Sequence, residues 1–336
     1  MNNAGRTGIP LQVWAGVALV AIALAVLPFV AALAGQAWVR ILNFAMVYTM
    51  LALGLNIVVG FAGLLDIGYV AFFGIGSYIY ALLCSPHFGL HLPFLLALPI
   101  VVVATALCGI LIGAPTLRLG GDYLAIVTLG FSESVRIAAA NEIWLTNGSD
   151  GIAGIPGPWR GTLTPQQFNL LFLGIVVVVL IAAYTLLERL GRSPFGRVLR
   201  AIRDDEDVAA VAGKHVLAFK VKAFAIGAAV LGLAGALYAH ETSYIAPDIF
   251  APLLTLNIIL ALVVGGIGNN TGAVLGAELI VVLLEGTRFA APFLPFLAPA
   301  QIAAVRELLV SVLLLVVLRI LPAGIIPERL GTSAAS

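Results

Sequence analysis

Charged residues are scarce in this sequence, and their scarcity excludes most classes of soluble protein. They make up 10% of the 336 residues, whereas hydrophobic residues make up 62%. Soluble globular domains carry roughly 25% charged residues. A chain with so few charges has a lipid bilayer as its solvent, and we expect no separate soluble domain between its apolar stretches.

Cysteine and lysine are also rare. Cys84 and Cys108 both lie in apolar stretches, which argues against a disulfide framework and against a cysteine metal site. The lysines are Lys214, Lys220 and Lys222, and none completes the Gly-x-x-x-x-Gly-Lys-Ser/Thr loop that binds nucleotide phosphates. We therefore expect no ATPase motif, no enzyme activity and no cofactor in this chain. Energy for an active process must come from another chain.

Apolar runs long enough to cross a bilayer follow one another along the sequence. A crossing helix needs about 20 mostly apolar residues. Inside lipid the backbone must satisfy its own hydrogen bonds, and long unbroken apolar runs do so as helices. We predict an all-α polytopic membrane protein, with one transmembrane domain over residues 1–336, about ten helices and glycine-rich breaks. The predicted spans are 11–34, 37–60, 67–84, 92–113, 123–140, 168–188, 221–240, 253–267, 272–287 and 301–320.

Basic residues concentrate in one connection between spans, residues 189–222. They are Arg189, Arg192, Arg197, Arg200, Arg203, Lys214, Lys220 and Lys222. Short loops rich in arginine and lysine face the cytoplasm. Counting crossings outward from this loop places both termini in the cytoplasm and the loop 141–167 in the periplasm. We therefore expect a multi-pass membrane protein.

A short helix is predicted inside the basic connection, between Arg203 and Lys214. Asp204 or Asp205 can cap its first N–H groups, and the acidic residues stand at the positive end of its dipole. Gly213 can adopt the left-handed conformation that ends a helix. Such a helix suits insertion into a cleft of another protein. A solvated connection, or an anchor for anionic lipid, explains the same residues equally well.

Several segments along the chain match one known family in the same order. They are 63–73 (GLLDIGYVAFF), 117–119 (LRL), 121–131 (GDYLAIVTLGF), 193–206 (SPFGRVLRAIRDDE), 222–224 (KAF), 232–237 (GLAGAL) and 265–268 (GGIG). Over roughly residues 50–285 the sequence resembles the LivM-type permease subunits of branched-chain amino acid ABC importers.

The resemblance implies a subunit that translocates branched-chain amino acids with energy from a separate ATPase. The implied partners are two ABC ATPase subunits, which bind the ATP, a second related permease subunit and a periplasmic substrate-binding protein. No nucleic acid is expected. In that family the loop equivalent to 193–222 carries the coupling helix that docks on the ATPase. The residues to which the resemblance assigns coupling are Asp205, Glu206, Ala209, Ala210 and Gly213.

One departure from related importers leaves the central docking contact open. The stricter Glu-Ala-Ala-x-x-x-Gly pattern is not reproduced, because the alanine pair lies too close to Gly213. The carried solute is open as well, since permeases for urea or short amides are closely similar. The loop 141–167 is either a surface that receives the substrate-binding protein or a plain connection.

A different class of protein, an autonomous secondary transporter or channel, is the alternative to an importer subunit. The long basic connection argues against it. So does the poverty of buried acidic and histidine residues, which a proton relay would need.

Polar residues within or next to the predicted spans are candidates for a substrate path. Charged groups in a bilayer cost about 2.5–3.5 kcal/mol on insertion scales and therefore need a reason. We name Asn56, Asp66, Asn257 and Glu278 as candidates, although a hydrogen bond to a neighbouring helix explains Glu278 better. Asn56 and Asn257 share a Leu-x-Leu-Asn-Ile setting before a glycine-rich break. An internal repeat, chance or common packing chemistry explains that likeness.

Small residues at helical spacing predict close contacts between helices. Gly272 and Gly276 are four residues apart, and Gly232 stands near Ala228 and Gly235. In membranes, where lipid is as apolar as a side chain, helices associate through such close packing.

Overall fold

The computed structural model describes residues 36–86, 90–156 and 163–290, together with parts of 301–328. Its helices are α1 Gln36–Leu55, α2 Ala71–Cys84, α3 Phe94–Thr116, α4 Asp122–Asn141, α5 Ile143–Thr146, α6 Pro165–Arg192, α7 Pro194–Asp204, α8 Glu206–Val211, α9 Val216–Thr242, α10 Pro252–Gly265 and α11 Asn270–Ala290. Two short strands, β1 Ile152–Ala153 and β2 Tyr244–Ile245, pair antiparallel. The described residues of 301–320 are helical.

The prediction of an all-α polytopic membrane protein is confirmed. In the described part, six helices are long and apolar enough to cross a membrane, and α2 and α11 are shorter apolar helices. Together they correspond to the predicted spans from 37–60 to 272–287. The predicted span 11–34 lies outside the described residues, and 301–320 is described in part.

The first helix loses its regularity before it ends. α1 continues as a π-helical turn, Asn56–Phe61, and residues 62–70 then form a non-helical segment, which we call the first break. Gly68 lies so close to α4 that a Cβ atom there would stand 1.7 Å from the carbonyl oxygen of Thr128. The amide of Val70 donates to Thr255 Oγ1 of α10 at 3.3 Å. Protein therefore covers the part of the break around Asp66 and residues 68–70, while Gly63 and Leu65 are exposed. Irregular backbone in a membrane protein requires such cover.

A second break, residues 266–269, separates α10 from α11. Gly266 has φ +118° and Gly268 φ +81°, which are conformations that side-chain-bearing residues rarely adopt. Asn269 then caps α11, because its Oδ1 accepts the amides of Thr271 at 2.9 Å and Gly272 at 3.3 Å. The predicted interruption of the apolar pattern by glycine is confirmed here.

Helix α9 packs at the centre of the bundle through small residues. A Cβ atom on Gly76 of α2 would lie 2.4 Å from Cα of Gly232, and one on Gly109 of α3 would lie 2.8 Å from Cβ of Ala228. Gly227 meets the backbone of α1 at a corresponding distance of 2.7 Å. The predicted packing role of Gly232 and Ala228 is confirmed, and α9 approaches α1, α2 and α3 at backbone distance.

The same principle holds α10 against α11. A Cβ atom on Gly276 would lie 1.9 Å from the carbonyl oxygen of Ala261, and one on Gly265 would lie 2.0 Å from that of Gly272. The predicted Gly272 and Gly276 contact is therefore confirmed as the seam of this helical hairpin.

The bundle has two ends, which α9 connects. Its 27 residues rise about 40 Å, at about 1.5 Å per residue. We call the end where α6 finishes, α7 and α8 lie and α9 begins the docking end. The opposite end carries β1 and β2, where Ile152 pairs with Ile245 and the amide of Ile155 donates to the carbonyl of Ser243 at 3.4 Å. The segments 152–155 and 193–215 are thus at opposite ends.

We expect Gly76→Ala to destabilise the bundle by about 1–3 kcal/mol, because the new methyl group forces α2 away from α9. Gly174→Ala in α6 is the matched control, since a Cβ atom there meets nothing within 4 Å. Alanine is the better helix former, so the control should gain roughly 0.5–1 kcal/mol. Thermal unfolding of the purified protein in detergent measures both. Equal unfolding temperatures for the two variants would contradict the packing account.

Candidate functional site

The predicted short helix is present, and of the two acidic residues that could cap it, Asp205 does so. Arg203 and Asp204 belong to α7, and Asp205 is the N-cap of α8, with its Oδ1 accepting the amide of Val208 at 2.9 Å. Gly213 has φ +78°, so the predicted left-handed stop is confirmed. The extended Asp205 thus separates α8 from α7, because its side chain accepts a free amide in the first turn of α8.

The candidate coupling residues do not share one environment. Asp205, Glu206, Ala210 and Gly213 are exposed, whereas Ala209 is 5% exposed and faces the protein. Ala209 therefore seats α8, and Ala210 is the alanine that is free to contact a partner.

Two apolar residues on α8 were missed by the sequence analysis. Val208 is 65% exposed and Val211 is 90% exposed, although each is a branched apolar residue on a helix outside the apolar spans. With Ala210 they form an apolar tip at the docking end. The sequence did carry a signal for them, since two valines follow the acidic start of a helix that lies outside the apolar spans.

An ion pair attaches α8 to α9. Lys220 of α9 is buried, and its ammonium group pairs with the carboxylate of Glu206. Burying a lysine without a partner would be costly, so this pair fixes the start of α8 relative to α9. The structure also shortens the predicted basic connection, because α6 extends to Arg192 and α9 begins at Val216.

Among the candidate path residues, Asn56 forms a buried network. Its Oδ1 accepts the amide of Gly268 at 2.9 Å, and its Nδ2 donates to Asn270 Oδ1 at 3.0 Å. Asn270 Nδ2 in turn donates to Glu188 Oε2 of α6 at 2.9 Å. Asn56 thus satisfies an amide of the second break and, through Asn270, connects the π-helical turn with α11 and α6.

Asp66 lies within the first break and is fully buried. Its Oδ1 accepts the amide of Gly68 at 2.9 Å, and a carboxylate bonded to the backbone two residues ahead stabilises a turn. The carboxylate faces no open space in this conformation.

Glu278 and Asn257 lie on the α10 and α11 hairpin and do not meet each other. Glu278 Oε1 accepts Thr49 Oγ1 of α1 at 3.0 Å, which is the interhelical hydrogen bond that the alternative to a path role requires. Asn257 is half-buried on α10, and its side chain has no hydrogen-bond partner among the described residues. The four candidates therefore have different neighbours, and Asn56 and Asn257 occupy different environments.

Buried ionisable residues are more numerous than the sequence indicated. His240 is fully buried, its Nδ1 lies 2.8 Å from Tyr80 Oη, and Phe172 stacks on its ring at 5.1 Å. Glu241 beside it accepts Asn43 Nδ2 at 3.0 Å. These groups stand in the last turn of α9 at the opposite end, so they form a terminal cluster and not a mid-membrane series.

Residues 37–318 match the family described as branched-chain amino acid transport system, permease component. The chain is 37% identical over 269 residues to a high-affinity branched-chain amino acid transport system permease protein LivM of Salmonella typhimurium, and 38% identical over 272 residues to that of Escherichia coli. Each match covers 74% of this chain and 63% of the relative, so the aligned part spans less than two thirds of their length.

A probable LivM permease of Methanocaldococcus jannaschii is 31% identical over 242 residues, which cover 68% of each chain. No solved structure matches. The matched range contains every described helix from α1 to α11, both breaks and the docking end. The chain belongs to the family of branched-chain amino acid transport permease components.

Proposed function

We propose that this chain is the membrane-spanning permease subunit of an ABC importer for branched-chain amino acids, energised by a separate ATPase. The apolar tip of α8 carries the proposal. Val208, Ala210 and Val211 project from the docking end on a capped helix, a shape that suits a cleft in a soluble partner. An apolar helix face in a hydrophobic groove is a recurring mode of recognition.

The contacts around α8 supply a route for mechanical coupling. Movement of α8 pulls on α9 through Glu206 and Lys220. Since α9 packs at backbone distance against α1, α2 and α3, its displacement repacks the bundle as a unit. ATP-driven closure of the ATPase pair would then switch the permease between outward-facing and inward-facing states. No covalent change of the solute is involved.

The proposed assembly contains two ABC ATPase subunits, which bind ATP, a second related permease subunit and a periplasmic substrate-binding protein. The chain itself would cross the bacterial inner membrane about ten times, as one transmembrane domain over residues 1–336 with both termini cytoplasmic. The docking end, within 189–222, faces the cytoplasm because the arginines concentrate there. The loop 141–167, which contains β1 paired with β2 at the opposite end, receives the binding protein.

Reconstitution tests this function. We expect the chain, co-purified with its partner subunits and placed in vesicles with ATP and the binding protein, to accumulate radiolabelled leucine. Vesicles that lack the ATPase, and vesicles offered radiolabelled urea, are the controls. Uptake of urea in preference to leucine would reassign the solute, and leucine uptake without the ATPase would contradict an importer subunit.

We expect Ala210→Arg and Val211→Arg to weaken ATPase binding, because each places a charge in an interface that α8 would bury. A loss of about 2 kcal/mol is typical of a central interface residue, which is roughly 30-fold in affinity. Retention of the ATPase through purification and leucine uptake should fall together, while membrane abundance stays unchanged. Ala153→Arg, at an exposed site at the opposite end, should retain the ATPase. Full retention in all three variants would remove α8 as the docking element.

The orientation is tested by labelling cysteines from one side. In a background of Cys84→Ala and Cys108→Ala, we expect Ser149→Cys to react with a membrane-impermeant thiol reagent in intact cells stripped of the outer membrane. Arg197→Cys should react in inverted vesicles instead, because it lies at the docking end. Reaction of both from the same side would refute the proposed topology.

A further inference from the structure

The segment 323–328 returns to the docking end and pairs with the end of α10. The amide of Ile325 donates to the carbonyl of Val264, and the amide of Ile326 donates to that of Gly265, each at 2.9 Å. Asn269 Nδ2 donates to the carbonyl of Pro327 at 3.1 Å. Carbonyls at a helix end have no partner within the helix, so this segment satisfies groups that the second break leaves free.

The pairing delivers Glu328 to two arginines of α7. Glu328 Oε1 lies 2.7 Å from Arg200 Nε, and Oε2 lies 2.8 Å from an Nη atom of Arg203. Residues three apart share one face of a helix, so one carboxylate bridges both guanidinium groups. The Glu328 side chain is 16% exposed, which shields the bridge from solvent more than a surface ion pair would be.

The same arginines also bind the end of the π-helical turn. Arg203 Nη1 donates to the carbonyl of Gly60 at 2.5 Å, and the Arg200 guanidinium stands 5.0 Å from the ring centroid of Phe61. The arrangement leaves no room for a side chain at Gly63 or at Gly268. A Cβ atom on Gly63 would lie 2.5 Å from Arg203 Cγ, and one on Gly268 would lie 2.8 Å from the Glu328 carboxylate.

We call α7 and α8 the docking helices. We propose that Glu328 is a positioning residue that links them to both breaks, so that displacement of α8 reaches the two irregular segments of the bundle. This inference rests on the proposed function. α8 follows α7 after a single residue, Asp205, and α7 meets both breaks at the Arg200, Arg203 and Glu328 cluster. The buried side chains of Leu199 and Ile202 hold α7 by non-directional apolar packing. The ion pairs of Glu328 with the two arginines fix its orientation.

Removing the charge of Glu328 separates transmission from docking. Without the carboxylate, Arg200 loses the counter-ion it has among the described residues, and Arg203 keeps only the longer contact of its Nε with Asp204 Oδ1 at 3.4 Å. A charge that loses its partner in a half-buried site is unfavourable. The substitution leaves Val208, Ala210 and Val211, the residues of the apolar tip, unchanged. ATPase binding should therefore survive while its connection to the breaks is lost.

The test compares Glu328→Gln with wild type in reconstituted complexes that contain the ATPase and binding protein. We expect normal membrane abundance, normal ATPase retention and continued basal ATP hydrolysis. Leucine uptake, and the stimulation of hydrolysis by the loaded binding protein, should each fall about tenfold, within the usual range for coupling between two sites. Glu328→Asp, which keeps the charge, should recover a substantial part of both.

Glu133→Gln is the matched control, since Glu133 pairs with Arg136 on α4 away from the docking end and should leave uptake unchanged. Wild-type uptake by Glu328→Gln would overturn the inference. So would loss of abundance or of the ATPase in proportion to lost uptake, because that pattern marks a structural role alone. If wild-type complexes do not couple hydrolysis to uptake, the proposed function itself fails, which this design separates from failure of the Glu328 variant.

Discussion

Close approach of helix backbones along α9 is the constraint on which the rest of this structure depends. Lipid offers no hydrophobic gain when two apolar helices meet, so the contact must come from tight van der Waals packing and hydrogen bonds. Gly76 and Gly232 have no side chains, so they permit both the tight packing and the hydrogen bonds. At that distance Ser77 Oγ donates to the carbonyl of Gly235 at 3.1 Å, and Tyr69 Oη donates to that of Phe224 at 2.7 Å. The result is a stiff axis that reaches both ends of the bundle.

The two breaks interrupt the regular helices of the bundle. Polar backbone groups at and beside the breaks are satisfied by hydrogen bonds from other parts of the protein. In the second break, the amide of Gly268 donates to Asn56. Next to the first break, Arg203 donates to the carbonyl of Gly60 in the π-helical turn. Amides of the segment 323–328 donate to the last carbonyls of α10. Each of these hydrogen bonds joins two distant segments of the chain. Irregular backbone inside a membrane protein must be satisfied in this way, so the breaks are held by bonds that cross the fold. A change at the docking end therefore alters how the breaks are held.

Ionic and apolar side chains have different tasks on α7 and α8. Ionic contacts attach the two helices to the bundle, Glu206 with Lys220 and Glu328 with Arg200 and Arg203. The exposed apolar side chains of α8 are those of Val208 and Val211. Directed charge contacts fix orientation, and apolar area favours association without fixing it. A helix built this way can bind a partner and keep its own attachment to the bundle.

The sequence by itself determined the class of protein, the apolar helices from 37–60 to 272–287, the glycine contacts of Gly232 and Gly276, and the caps of α8. Each of these depends on local composition, on spacing along one helix, or on a residue type that a turn requires. Resemblance supplied the family. Local pattern could not separate α7 from α8 at Asp205, because either acidic residue was able to cap a helix.

Tertiary structure decided which way each polar side chain faces. It buried Ala209, exposed Val211 and joined Asn56 to Asn270 across the two breaks. It also brought Glu328 to Arg200, although 128 residues separate them. Contacts between segments so far apart follow from how helices cross and where the chain returns. Those are properties of the whole packing, which no window of sequence contains.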